Sequence, residues 1–450
     1  MIGAPLGWLG IIRIGLVQTA LGAIVVLMTS TINRVMVVEL ALPAIAPGLL
    51  VGLHYGVQVL RPRWGYGSDI GGRRTPWIIG GMAGLALGAV GAAAGTALAG
   101  VSPAWGLAVA TLSFLAIGVG VGAAGTSLLA LLASQVEPRI RAGAAATVWI
   151  MMIAGFAISA PLAGHFLDPF SPARLVGVTA AVAAVAFVVA TLAILGVEPA
   201  RGPAPSSAPA PGEAPAPRPS FGAALRDVWA DARSRRFAIF IFVSMLAYSA
   251  QELVLEPFSG VVFGLTPGGS TKLSGVQHSG VLFGMIAVSL VAARGRGRWY
   301  GSLRAWTVLG CAASAVPLVG LAGAGLAGPD FPLRPCVFAL GFFNGVFAVA
   351  AIGSMMELAN GAPSARQGTH MGVWGAAQAV AFGLGGLCGA AAVDLARGLV
   401  ASPTSAYGVV FLCEAALFLA SAVLAASLGR ASQAVRPSAP LQARSEGAAA

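Results

Sequence analysis

Residues Arg61–Pro76 read RPRWGYGSDIGGRRTP, a compact polar run between two long apolar segments. Four arginines (Arg61, Arg63, Arg73, Arg74), one acid (Asp69) and four glycines fall within these sixteen positions. Charge at this density is too costly for a hydrocarbon interior, so the stretch is a loop at a membrane face. Its glycines allow tight backbone turns. Thr75-Pro76 then opens the next helix, with proline in the first turn, where a missing N–H costs nothing. Asp69 is placed to accept hydrogen bonds from a helix N-terminus or to pair with the arginines.

The loop resembles the G-x-x-x-D-R-x-G-R-R signature between helices two and three of the major facilitator superfamily. Gly65, Asp69, Gly72, Arg73 and Arg74 occupy the matching positions; Ile70 stands where that family usually has a basic residue. The resemblance implies a clamp holding two helix bundles together at the cytoplasmic face. The plainer alternative is an ordinary basic loop.

The rest of the chain fits a membrane setting. Of its 450 residues 57% are hydrophobic and only 9% charged, with mean hydropathy +0.86. A soluble domain carries about 25% charged residues. The +11 net charge is therefore a topology signal before a nucleic-acid signal. No basic run interleaved with aromatics points to RNA or DNA. The four cysteines lie in apolar segments without metal-ligand spacing, and read as small buried hydrophobes. The first apolar segment is long enough to stay as a span instead of being cleaved.

Twelve segments of about 20 apolar residues can be drawn. They are Ile11–Ile32, Leu40–Leu60, Pro76–Ala99, Trp105–Ala133, Gly143–Phe166, Arg174–Val197, Phe237–Gly264, Leu273–Ala293, Trp299–Gly325, Phe331–Asn360, Gly368–Asp394 and Ala406–Leu428. With these spans only Arg34, Arg174, Lys272, Arg334 and Arg397 fall on one side, leaving 21 of the 26 basic residues on the other. That asymmetry predicts a cytoplasmic location for both termini.

The expected organisation is a six-helix bundle over 1–198, a Pro/Ala-rich disordered linker over 199–219, an amphipathic juxtamembrane helix over 220–236, a second six-helix bundle over 237–429 and a disordered tail over 430–450. The halves echo each other. Arg63-Trp64-Gly65 answers Arg298-Trp299-Tyr300; Trp149 and Asp168 answer Trp374 and Asp394; Glu39 answers Glu256. Repeats of the same orientation imply two bundles related by an axis along the membrane normal. The fold class is thus an all-α membrane protein of major-facilitator type, with 12 transmembrane helices as two pseudo-symmetric six-helix bundles. Glycines recurring in helices three, four and eleven fit close packing of backbones.

Four stretches, NRVMVVELALP (Asn33–Pro43), WIMMIAGFAISAPLAGHFLDPFSPARL (Trp149–Leu175), LEPFSGVVFG (Leu255–Gly264) and Ile352–Gly386, carry a closer resemblance. They are similar to the PucC/LhaA family, the bacteriochlorophyll-delivery branch of the same superfamily. That resemblance implies an assembly factor for light-harvesting antenna complexes in a bacterial inner (intracytoplasmic photosynthetic) membrane, and not an enzyme. It implies bacteriochlorophyll as cargo. The implied partners are antenna polypeptides, bacteriochlorophyll and membrane lipid, with pigment-synthesis enzymes and the insertion machinery as further candidates.

Intramembrane ionisable groups are usually functional. Here they are Glu252, Glu256, Glu357, Glu414, Glu39 and Asp394. Glu252 and Glu256 share a helix face, and the internal repeat places Arg34 and Glu39 opposite them. The favoured reading is an outer polar gate of Arg34, Glu39, Glu252 and Glu256, closed by ion pairs; a proton or substrate site is the alternative. Of the histidines, only His54 lies well inside a predicted span, with His278 near an outer end. His54 is the candidate axial ligand for pigment magnesium, although a packed histidine is commoner. Trp149, Phe156, Trp374 and Phe382 are the candidate aromatic contacts. No residue pattern indicates zinc, a nucleophilic triad or a phosphate-cradling loop.

A second reading is a proton-coupled transporter of a small organic solute, and a third is a scaffold that never touches pigment. Helix four is almost wholly apolar and helix one offers little beyond Gln18, Thr19, Thr29 and Ser30. That favours an apolar ligand.

Overall fold

A backbone in hydrocarbon must satisfy its own hydrogen bonds, so apolar runs of this length fold as helices. The computed structural model describes residues 6–60, 73–137, 139–198, 226, 229–294, 302–360, 367–400 and 402–433, without the side chains of 133, 142, 233, 293, 326, 329, 355–360, 367–376 and 428–433. The N-terminal half holds α1 (Trp8–Val26, continued by π-helical turns at Leu27–Ile32 and Val35–Glu39), α2 (Ile45–Val57), α3 (Thr75–Ala99), α4 (Pro103–Gln135), α5 (Arg141–Leu167) and α6 (Pro172–Ile194). The C-terminal half holds α7 (Ala232–Phe263), α8 (Pro267–Arg294), α9 (Leu303–Ala327), α10 (Leu333–Asn360), α11 (Gln367–Leu399) and α12 (Pro403–Gln433). Among the described residues eleven helices are long and apolar enough to cross a membrane, and Ile45–Leu60 is a shorter apolar helix.

Several boundaries differ from the sequence expectation. The first helix does not stop at Ile32; it runs to Glu39, and α2 begins at Ile45 instead of Leu40. Asn33 and Arg34 look like a loop in sequence, but their polar groups are satisfied across the molecule. Asn33 Nδ2 donates to the Leu253 carbonyl at 2.8 Å, and Arg34 donates to the Leu265 carbonyl. The eighth helix begins at Pro267, not Leu273, and the eleventh continues past Asp394 to Leu399. Cys388 and Cys413 are exposed on the helix surface instead of buried, whereas Cys311 is in the core.

Each half encloses its own apolar core. One gathers Ile14, Met82, Phe114 and Leu128 from the first six helices; the other gathers Phe240, Phe258, Phe347 and Phe411 from the last six. Within a bundle, helices meet where glycines remove side chains. Gly81, Gly88 and Gly95, one heptad apart, bring α3 against α4; a Cβ at Gly81 would stand 2.6 Å from the Ala124 nitrogen. A Cβ at Gly80, by contrast, would meet no described atom within 4 Å.

Among the described residues two helix pairs carry most of the contact between the halves, α5 with α8 and α2 with α11, and the π-helical end of α1 adds smaller contacts with α7 and α8. The ends of the helices flanking Arg74, Arg141, Glu198, Arg294 and Arg304 form what we call the basic face. The turns at 40–44, 100–102, 168–171, 264–266 and 328–332 form the far face.

Candidate functional site

Between the bundles lies a cavity of about 210 Å³. Its walls are mostly apolar: Leu21 and Val25 from α1, Val121 and Leu129 from α4, Met152 and Ile153 from α5, Met245 from α7, Val281 and Met285 from α8, Phe347 and Ile352 from α10. Gly125 of α4 also lines it, and nothing described lies within 4 Å of where its Cβ would be, so the missing side chain is cavity space. The lining runs from mid-helix towards the basic ends of α2, α4 and α10, at Gln58, Leu129 and Ile352.

Four of the five expected pigment contacts meet here. His54, Trp149, Phe156 and Phe382 all line the cavity. Trp374 lies on α11, with its side chain outside the described residues. Phe382 packs between Tyr55 and Tyr248, with ring centroids 5.4 and 5.9 Å away. His54 Nε2 lies 3.0 Å from the Gln58 amide nitrogen, so ligation through that nitrogen requires Gln58 to let go.

Two amides on this wall are held weakly. Gln18 Nε2 has the Met152 sulfur as acceptor at 3.2 Å, and Gln378 Nε2 has the Met245 sulfur at 4.0 Å. Thioethers are poor acceptors, so a ligand carbonyl can claim either amide. One amide comes from each bundle.

Glu252 departs from the expected outer gate. It lines the central cavity, beside Tyr248 one turn away, and its Oε1 is 4.0 Å from His278 Nε2. His278 is central too, because α8 starts six residues earlier than expected; its ring meets Phe156 edge-on at 4.8 Å. The other three gate residues do converge at the far face. Arg34 pairs with Glu39, and buried Glu256 lies within electrostatic reach of Arg34.

Further bonds close the far face. Thr31 and Thr271 hydroxyls meet at 2.9 Å. The Asp168 carboxylate accepts from Thr266 Oγ1 at 2.8 Å and Gly268 N–H at 3.1 Å, at the start of α8. The Asp394 carboxylate accepts from Ala44 N–H at 3.0 Å and Ile45 N–H at 2.8 Å, at the start of α2. The repeated aspartates of the sequence are thus two equivalent caps, each reaching from one bundle to the other. A carboxylate at a helix N-terminus satisfies donors that have no partner inside the helix.

At the basic face, Gly65, Asp69 and Gly72 of the expected clamp lie outside the described residues. Arg73 is exposed, and the Arg74 side chain donates to the Ala130 carbonyl at 2.9 Å and to Ser134 Oγ. The cap of α3 is Glu198, which sequence reasoning missed. Its carboxylate accepts from Arg74 N–H at 2.8 Å, Thr75 N–H at 2.8 Å and Thr75 Oγ1 at 2.8 Å. Burial opposes its ionisation, but the Thr75 and Arg74 donors and the Arg73 charge outweigh it, holding the carboxyl below its ordinary range.

The family model described as PUCC protein matches residues 31–433. The chain belongs to the PUCC family. It is 51% identical over 431 residues to the "Bacteriochlorophyll synthase 44.5 kDa chain" of Rhodobacter capsulatus, covering 96% of this chain and 98% of that protein. It is 29% identical over 448 residues to "Protein PucC" of Cereibacter sphaeroides, covering 95% and 93% respectively. Among solved structures, a bacterial homologue of the human lysosomal transporter Spinster, inward-facing and unoccupied, superposes with TM-score 0.65 at 14% identity, covering 95% of this chain and 98% of that one. A bacterial homologue of the human peptide transporters PepT1 and PepT2 gives 0.66 at 14% identity, covering 95% and 99%. At that identity the likeness concerns the fold, and the fold is the major-facilitator one expected from the Arg61–Pro76 loop.

Tyr55, Gln58, Tyr248 and Gln378 are cavity residues of this PUCC-family chain that the sequence reading did not single out. Tyr and Gln inside apolar spans are the one signal that pointed to them.

Proposed function

We propose that the chain is an assembly factor for light-harvesting complexes, taking bacteriochlorophyll into the central cavity and passing it to antenna polypeptides within the bilayer. The observation that carries this is membership of the PUCC family across residues 31–433, with a 51% identical relative named for bacteriochlorophyll. The site's chemistry supports it. Aromatic faces at Trp149, Phe156 and Phe382 suit a flat macrocycle, and the Gln18 and Gln378 amides suit keto or ester oxygens. Lipid tails are as apolar as the cavity, so retention rests on dispersion and a few polar contacts. Binding is then moderate, as delivery requires.

At about 210 Å³ the cavity is smaller than the roughly 300–1,000 Å³ of pockets for drug-sized ligands. Capture therefore involves separation of the helix ends at the basic face, which we place in the cytoplasm together with both termini. The membrane is the intracytoplasmic photosynthetic membrane. Antenna polypeptides are the direct partners, with pigment-synthesis enzymes and the insertion machinery upstream. The chain acts as a carrier and catalyses no step of pigment synthesis.

Glu252, beside His278 and in the cavity, favours the competing reading of a proton-coupled solute transporter. Deletion separates the two. Loss of the gene, with every paralogue also removed, lowers antenna absorbance while bacteriochlorophyll synthesis continues; the purified protein carries pigment absorption. Normal antenna absorbance in that strain, with a pigment-free purified protein, overturns the assembly reading in favour of solute transport. His54→Ala tests ligation separately: weakened pigment retention supports His54 as magnesium ligand, and unchanged retention leaves it a packing residue.

A further inference from the structure

Positive charge is sparse at the far face, and all but one of its arginines are engaged. Arg34 donates to Glu39 and to the Leu265 carbonyl, Arg174 to the Asp168 carbonyl at 2.7 Å, and Arg397 to the Tyr407 hydroxyl at 2.8 Å. Arg334, the second residue of α10, is exposed and makes no hydrogen bond or ion pair with a described residue. Asp330, one turn earlier, lies beyond ion-pair distance and does not line the cavity described next. An arginine here runs against the charge bias of the chain, and its donors are open to a ligand.

Beside Arg334 the fold leaves space. Deeper in the membrane α8 and α10 are knit by glycine. A Cβ at Gly280 or Gly284 would overlap the α10 backbone, and one at Gly341 or Gly345 the α8 backbone. One heptad nearer the far face, the positions corresponding to Gly280 and Gly341 are Leu273 and Arg334. There the two helices part around a cavity of about 520 Å³. That volume falls within the roughly 300–1,000 Å³ of pockets for drug-sized ligands. Val262 and Phe263 of α7, Leu273 of α8 and Phe331 make its apolar wall, with the Phe263 and Phe331 ring centroids 6.4 Å apart. Arg334 and half-buried Thr404 line it too, and the Thr404 hydroxyl bonds to no described residue. This cavity shares no lining residue with the central one.

The same seam faces the bilayer. Phe338, one turn deeper than Arg334, is 37% exposed, and its ring centroid lies 6.1 Å from that of Phe283, which is 58% exposed. Apolar rings exposed on a membrane span are covered by lipid tails, which are as apolar as they are. Arg334 stands where that span begins, at Leu333. A long basic side chain at a span end places its charge at headgroup level. A guanidinium fork matches a phosphate.

We propose that this cavity is a binding site for one phospholipid of the far leaflet. The headgroup phosphate pairs with Arg334, and an ester oxygen accepts from the Thr404 hydroxyl. One acyl chain enters the cavity against Val262, Phe263 and Phe331, and the other follows Phe338 and Phe283 in the bilayer. Both parts of the lipid are needed. A free phosphate ion uses Arg334 and forgoes the apolar wall; a neutral diacylglycerol fills the wall and leaves Arg334 without its partner.

The test titrates the full chain, delipidated in a mild detergent, with dioleoyl phosphatidylglycerol, and reads the tightest-bound lipid by native mass spectrometry. Wild type binds it saturably. Arg334→Gln weakens that binding by roughly ten- to a hundredfold, as expected for one lost hydrogen-bonded charge contact. Dioleoyl glycerol, with the same tails and no phosphate, binds wild type about as weakly as the phospholipid binds Arg334→Gln. Val262→Phe, which fills the apolar end of the cavity, also weakens the phospholipid, and inorganic phosphate at equal concentration does not displace it. A wild type without a saturable lipid overturns the proposal. So does Arg334→Gln or Val262→Phe binding like wild type, or dioleoyl glycerol binding as tightly as the phospholipid. Displacement by inorganic phosphate assigns the site to a free anion and overturns it too. Arg334 is exposed, so its variant keeps the fold; should Val262→Phe not fold, Arg334→Gln and the dioleoyl glycerol comparison decide.

Discussion

The two seams that join the bundles carry equivalent caps yet pack differently. At α5–α8, Asp168 holds the start of α8, and Gly164 and Gly268 lie backbone to backbone. A Cβ at Gly164 would stand 2.6 Å from the Gly268 carbonyl, and one at Gly268 would overlap the Gly164 carbonyl and the Asp168 carboxylate. A Cβ at Gly275 would likewise stand 2.5 Å from the Pro161 Cδ. At α2–α11, Asp394 holds the start of α2, and a Cβ at Gly48 would stand 2.8 Å from the Ala390 Cβ. One turn further in, a Cβ at Gly52 would stand 3.5 Å from the Gly383 carbonyl, and beyond it the Tyr55 and Phe382 rings separate the helices. Repetition preserved the caps, which need one side chain each. The contact below them was free to diverge: one seam is a backbone-on-backbone pivot, the other a side-chain-filled wall of the cavity.

The largest effect that would break this contrast is at Gly268. Gly268→Ala puts a methyl group into the pivot, where both neighbours are constrained: one is backbone, the other the capping carboxylate. Overpacking costs about 1–3 kcal/mol, and displacing the Asp168 cap adds about 0.5–2 kcal/mol. The expected result is a marked fall in melting temperature of the detergent-solubilised protein. A melting temperature equal to wild type would show that the pivot is not tight.

Next come the caps themselves. Asp168→Ala and Asp394→Ala each remove two bonds to the opposite bundle, and each is expected to cost about 0.5–2 kcal/mol. Equal losses sharpen the reading of the caps as equivalents. A loss at Asp168 alone would mean that the α2–α11 cap is redundant.

These residues also mark how far the sequence could be read. The repeat was visible because Trp149/Asp168 and Trp374/Asp394 are local patterns. The partners of the aspartates were not visible, since they lie 100 and 350 residues away in the chain. The start of α8 was misplaced because Pro267-Gly268-Gly269-Ser270-Thr271 reads as a turn. In the fold, proline opens the helix, the Asp168 cap supplies its acceptor, and Ser270 and Thr271 bond back to the Pro267 carbonyl. That one error left His278 at the membrane edge in the sequence reading, whereas the fold places it at the centre beside Glu252. Glu198 was missed for the opposite reason: attention fell on Asp69 inside the loop motif, and the cap comes from the end of α6. Trp149, Phe156 and Phe382 were legible because a large ring cannot fit where glycine-rich helices touch, so it lies where they part; Tyr55 and Tyr248, on the same wall, were not singled out.

The smallest expected effect is at Gly52, and its sign is the sharpest test of the contrast. A methyl group there meets the Gly383 carbonyl at 3.5 Å, an ordinary van der Waals distance, and no other described atom within 4 Å. Steric cost is therefore close to nil. Gly52 lies in the interior of α2, where alanine is favoured over glycine by about 0.5–1 kcal/mol, because glycine loses more backbone freedom on ordering. Part of that gain is lost where the hydrocarbon already holds the chain helical, since the unfolded reference in a membrane retains helix. Gly52→Ala is thus expected to leave melting temperature unchanged or raise it slightly, in contrast to Gly268→Ala. Paired melts of the two variants read the difference between the seams directly. A loss of more than about 1 kcal/mol at Gly52, the size of a typical destabilising mutation, would show that α2 and α11 are as tightly joined as α5 and α8.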